Sequence, residues 1–135
     1  MASTLSAPAS DRPLRLSLRL DSLACAVCGL VLLPGAAPLS AVLGLPLTLL
    51  VAAGLFLLAF AAFLWWTSAT ATVRHGSVHT VVAVNILWTL GSFAVVALFA
   101  PSPWGVAFVL AQAVAVAGIT VAEVLTLRGS TRRAA

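Results

Sequence analysis

Few side chains here can carry acid–base, redox or metal chemistry: Asp11, Asp21, Glu123, Cys25, Cys28, His75 and His79. Glu123 is the most informative. It stands inside a long apolar run, Trp104 to Leu127. A carboxylate within such a run costs on the order of several kcal/mol unless it is paired or protonated, and it marks function by default. Its own helix offers no cation, because Arg128 at i+5 lies about 140° around the axis. A partner would have to be Arg19, Arg74 or His79 on another element. The competing reading makes Glu123 an anchor, roughly 7 Å from Arg128 along the helix, with its head at the membrane surface. Asp21, two residues beyond Arg19, reads as an interfacial acid.

Cys25-Ala-Val-Cys28 has the C-x-x-C spacing that activates thiols at a helix N-terminus. Here it falls inside an apolar run, and the chain has no second thiol pair to pass electrons on. Two small packing residues are the simpler reading. His75 and His79 stand at i, i+4 and could face one metal. With no third histidine, they read as interfacial, and no metal or cofactor is expected.

Amides and hydroxyls complete the polar set. Asn85, Thr89 and Ser92 share one helical face, and Gln112 shares another with Glu123. Such groups glue helices together by hydrogen bonds worth about 0.6–2 kcal/mol, or they line a pocket. The candidate ligand-binding set is Asn85, Trp88, Thr120 and Glu123. All lie in the inner half of the bundle expected below.

The elements that position these groups follow from composition. The chain has 135 residues, of which 62% are hydrophobic and 7% charged, with a mean hydropathy of +1.17. A soluble domain carries about 25% charge. Seven arginines without a lysine, and a net charge of +4, are too few for a phosphate-tracking groove, which excludes a nucleic-acid partner. The apolar runs are continuous on all faces, unlike the alternating strands of a barrel. An all-α membrane protein is expected, with a bundle of four transmembrane helices at about 20–37, 46–66, 78–100 and 104–127. Residues 1–13 read as a disordered tail, 14–128 as the membrane domain and 129–135 as a basic tail. A cleavable signal at Gly35-Ala36-Ala37 is the lesser alternative for the first run, because apolar sequence continues past it.

The arginines set an orientation. Arg12, Arg15 and Arg19 precede the first run, Arg74 divides the second from the third, and Arg128, Arg132 and Arg133 follow the fourth. The other two connections carry no charge. Four spans place every arginine on one side, and the positive-inside rule makes that side, with both termini, cytoplasmic. Arg15, Arg19, Trp65, Trp66, Trp104 and Arg128 are the expected interface anchors. Ala107, Ala111, Ala115, Gly118 and Ala122 form a small-residue stripe that would let neighbouring backbones approach, making the fourth span central.

Leu20-Asp21, Gly29-Leu30, Pro38-Leu39, Gly44-Leu45-Pro46, Asn85-Ile86-Leu87-Trp88, Phe108 and Gln112-Ala113 together resemble a group of small four-span bacterial integral membrane proteins without assigned activity. The layout is more distantly similar to DoxX-like four-helix proteins, some of which are accessory subunits of membrane redox systems. The resemblance implies a four-helix membrane bundle, and no DoxX-like catalytic residue maps onto the chain. The first functional expectation is a non-enzymatic accessory or interaction protein of the cytoplasmic membrane, in contact with the lipid bilayer and either a membrane-protein partner or further copies of itself. The second is a small-molecule or lipid binder or transporter with an inner-half polar site. A membrane thiol oxidoreductase is a distant third.

Overall fold

A computed structural model describes residues 11–134. Among them every regular element is helical: α1 (Arg12–Leu32), α2 (Ala36–Leu43), α3 (Leu47–Ala69), α4 (His75–Phe99) and α5 (Pro103–Ala134). The expectation of an all-helical chain holds. Three helices, α3, α4 and α5, are long and apolar enough to cross a membrane, and the bent pair α1–α2 meets the same test when taken together. Large apolar side chains face outward all round, among them Leu87, Leu98 and Val114. That is the surface of a multi-pass membrane protein, since water would penalise it.

The first helix departs from its expected bounds at both ends. It begins at Arg12, inside the segment expected to be a tail, whose residues 1–10 lie outside the described residues. Pro13 sits in its first turn, where a missing N–H costs nothing. It stops at Leu32, and the chain turns by 91° into α2. Pro34 has no N–H to continue the ladder. A second proline, Pro38, is tolerated within α2 because its N–H would be among the unpaired ones of a first turn. Gly44 ends α2 with φ +67°, the left-handed conformation in which glycine carries no Cβ penalty.

Packing is uneven. α1 lies extensively on α3, α4 on α5, and α1 also on α5, whereas α3 and α4 scarcely meet although a short connection joins them. Gly29 permits the α1–α3 approach: a methyl group there would come within 3.0 Å of the Gly54 carbonyl oxygen. At one end of the molecule, the Ser102 N–H donates to the Leu43 carbonyl at 3.0 Å and its hydroxyl to the Val42 carbonyl at 2.7 Å. The same hydroxyl accepts from the Gly105 N–H, so Ser102 both caps α5 and ties it to α2. At the other end, Arg15 joins the start of α1 to the end of α3.

The expectation for the small-residue stripe is corrected. Ala107, Ala111, Ala115, Gly118 and Ala122 are all exposed. The buried face of α5 runs instead through Gly105, Val109, Ala113, Thr120, Glu123 and Leu127. α1 shares the central place expected for the last helix, since it contacts both α3 and α5.

Candidate functional site

Three polar side chains from three helices meet where α1, α4 and α5 converge. α1 buries Leu14, Leu18, Asp21, Cys25 and Leu32, a stripe opposite its exposed Arg12 and Arg19. Asp21 therefore points into the protein and is 1% exposed, not an interfacial acid. Glu123 is 0% exposed and Asn85 is 3% exposed. The Asn85 amide nitrogen donates to Asp21 Oδ2 at 2.7 Å and to Glu123 Oε2 at 3.1 Å. One amide group thus joins α1, α4 and α5 through both of its N–H bonds.

The remaining carboxyl oxygens are poorly supplied. Asp21 Oδ1 accepts a weak hydrogen bond from the Cys25 thiol at 3.6 Å. Glu123 Oε1 is buried with no hydrogen-bond partner. The surface-anchor reading of Glu123 fails on this burial, and its partner is Asn85 instead of Arg19, Arg74 or His79. Arg19 lies over the Trp65 ring at 5.1 Å, a cation–π contact. Arg15 directs its guanidinium to the Ser68, Thr70 and Ala71 carbonyls at 2.7, 2.5 and 2.8 Å. It thereby closes the C-terminal end of α3, where unpaired carbonyls and the helix dipole attract a cation.

The four expected ligand-binding residues do not form one site. Asn85 and Glu123 belong to the carboxyl centre. Thr120 donates to the Val116 carbonyl within its own helix and lines, with Thr89, a small cavity of about 160 Å³. Trp88 belongs to a second polar group: its indole N–H donates to Gln112 Oε1 at 2.7 Å, and Gln112 Nε2 donates to Ser92 Oγ at 2.8 Å. Of the other expected anchors, Trp65, Trp66 and Trp104 present exposed rings, and Arg128 is exposed. Cys25 and Cys28 are free thiols.

The Trp88–Gln112–Ser92 group borders the larger cavity, about 570 Å³ in the gap between α3 and α4. α3 contributes Leu49, Ala53, Phe56 and Leu57, and α5 contributes Phe108. From Leu49 to Leu57 the lining extends about 12 Å along α3. Phe56 and Leu87, both exposed, lie on its rim, so the cavity is a lateral cleft. Phe56 stacks on Trp88 across it, with centroids 5.6 Å apart.

Asp21, Gln112 and Ser92 were not among the expected site residues. Asp21 carried a readable signal: it falls on the Leu14, Leu18, Cys25 spacing. Gln112 and Ser92 were read as helix glue or pocket lining, but which groups they meet was not readable, because pairing between helices depends on their relative rotation. Compared with protein-family models, with curated proteins and with solved structures, the chain matches none.

Proposed function

We propose that this chain is a non-enzymatic, four-span protein of the cytoplasmic membrane that holds the hydrocarbon part of an amphiphile in the cleft between α3 and α4. The cleft carries the reading. Its volume of about 570 Å³ falls within the roughly 300–1,000 Å³ of ligand pockets, and its apolar lining with a few polar groups is typical of them. Consecutive helices usually pack side by side, but here α1 and α5 draw α3 and α4 apart. The polar groups at the cleft satisfy one another, so the occupant they fit is a hydrocarbon chain.

The four-span topology has structural support. Arg15 ties the basic start of α1 to the end of α3, next to Arg74. Ser102 ties the uncharged end of α2 to the start of α5. Basic and neutral segments therefore separate to opposite ends, as the positive-inside rule requires when both termini are cytoplasmic.

The test uses Trp88 as the reporter. A W65F, W66F, W104F variant in detergent is titrated with a phospholipid bearing brominated acyl chains. The expected result is saturable quenching of Trp88 at about one lipid per chain, diminished by Gly91→Leu. Gly91 lines the cleft and has nothing within 4 Å of an added Cβ, so the backbone there accepts a side chain that would occupy the cleft. Quenching that does not saturate, or that is unchanged by Gly91→Leu, refutes the reading. So does a Gly91→Leu variant that instead loses an oligomer, because the cleft then receives a helix.

A further inference from the structure

The geometry points to a proton-binding site at Asp21, Asn85 and Glu123, in which one proton drawn from solution is shared by the two carboxyl groups. Three observations carry it. Both carboxyls are within hydrogen-bond reach of one amide nitrogen, at 2.7 and 3.1 Å. Both side chains are buried, at 1% and 0% exposure. Glu123 Oε1 is left without a donor.

The charge balance explains why a proton belongs there. Asn85 is neutral and contributes donors only. The other group on α1 that touches the pair is the Cys25 thiol. α3 contains no ionisable side chain. On α4 the titratable groups are His75 and His79, and on α5 the cations are Arg128, Arg132 and Arg133. Among the described residues no ion pair joins any cation to Asp21 or Glu123. Arg15 and Arg19 are engaged with the α3 carbonyls and the Trp65 ring. Two adjacent ionised carboxylates would repel strongly in a medium of low dielectric. A single shared proton leaves one negative charge, which the Asn85 amide and the Cys25 thiol can solvate. An alkali cation fits less well, because Asn85 turns its N–H groups, not its oxygen, toward the carboxyls.

The full chain in lipid nanodiscs, studied by infrared spectroscopy at neutral pH, tests this. The expected spectrum shows the carbonyl stretch of a protonated carboxylic acid, amounting to one group per chain. Glu123 is the chain's single glutamate, so ¹³C-glutamate incorporated by cell-free synthesis must shift part of that band without any substitution. Glu123→Gln and Asp21→Asn should each abolish it, because one remaining carboxylate carries the same net charge as the protonated pair. No acid band in the parent overturns the proposal, and so does an acid band that ignores the glutamate label. A full-strength band in folded Asp21→Asn also overturns it, since burial alone then keeps Glu123 neutral. A band that emerges only when alkali salts are replaced by a bulky organic cation overturns it in favour of a metal cation. Should both variants fail to fold, the labelled parent decides alone.

Discussion

Asn85→Leu removes the junction of three helices while keeping the side chain's size. In the parent the amide donates to Asp21 on α1 and to Glu123 on α5. Leucine deletes both bonds and leaves carboxyl oxygens buried without donors. Hydrogen bonds to charged groups contribute about 1.5–3 kcal/mol each in water-soluble proteins. Interhelical bonds within membranes average about 0.6 kcal/mol and reach about 1.7. Because both acceptors are covered by protein, the upper part of the membrane range applies to each bond, and the orphaned oxygens add to it. A loss of about 2–4 kcal/mol follows. Reversible unfolding in mixed micelles, with the parent as reference, measures it. The magnitude should depend on Glu123. In a Glu123→Gln background the new amide can itself donate to Asp21, so Asn85→Leu should cost about half as much. A loss below about 0.5 kcal/mol in the parent background, or no coupling to Glu123→Gln, would refute the bridge.

Arg15→Gln should destabilise the bundle by about 1–2 kcal/mol, because the carbonyls of Ser68, Thr70 and Ala71 lose their cation; Arg15→Lys should recover only part of that, since an ammonium lacks the planar fork. Micelle unfolding reads both. Gly105→Ala should cost about 1–3 kcal/mol, as its methyl group would collide with the Leu43 carbonyl. Gly118→Ala, in open space on the exposed face of α5, should be neutral or slightly stabilising through helix propensity. A reporter active only outside the cytoplasm should be silent when fused after Arg133 and active when fused at Ser102; the reverse pattern would invert the proposed topology.

How much was legible in the residues differs from helix to helix. Continuous apolar runs over about 46–66, 78–100 and 104–127 sufficed for three helices, because a backbone without water must satisfy its own hydrogen bonds. The polar stretch 67–77 with Arg74 marked the first break between them, and Pro101-Ser102-Pro103 the second. The bend at Pro34–Gly35 was readable as a break, but its 91° angle was not, since packing of α2 against α3 and α5 decides where the chain goes next.

The candidate site divides in the same way. On α1 the arginines mark one face, so the opposite face, with Leu14, Leu18 and Asp21, was open to inference from sequence alone. α3, α4 and α5 are apolar on every side, and nothing in such a helix distinguishes a core-facing face from a lipid-facing one. That is why the small-residue stripe of α5 was assigned to packing and proved exposed. It is also why the surface-anchor reading of Glu123 could stand beside the intramembrane one until the fold showed the side chain buried. The residue types themselves established that a carboxylate and amides lie within apolar helices. Only the tertiary structure decided that Asn85 on α4 stands between Asp21 and Glu123, and that Trp88 faces Gln112 at the cleft. Those meetings depend on the rotation and separation of whole helices, which are set by the sum of many side-chain contacts and written in no single segment.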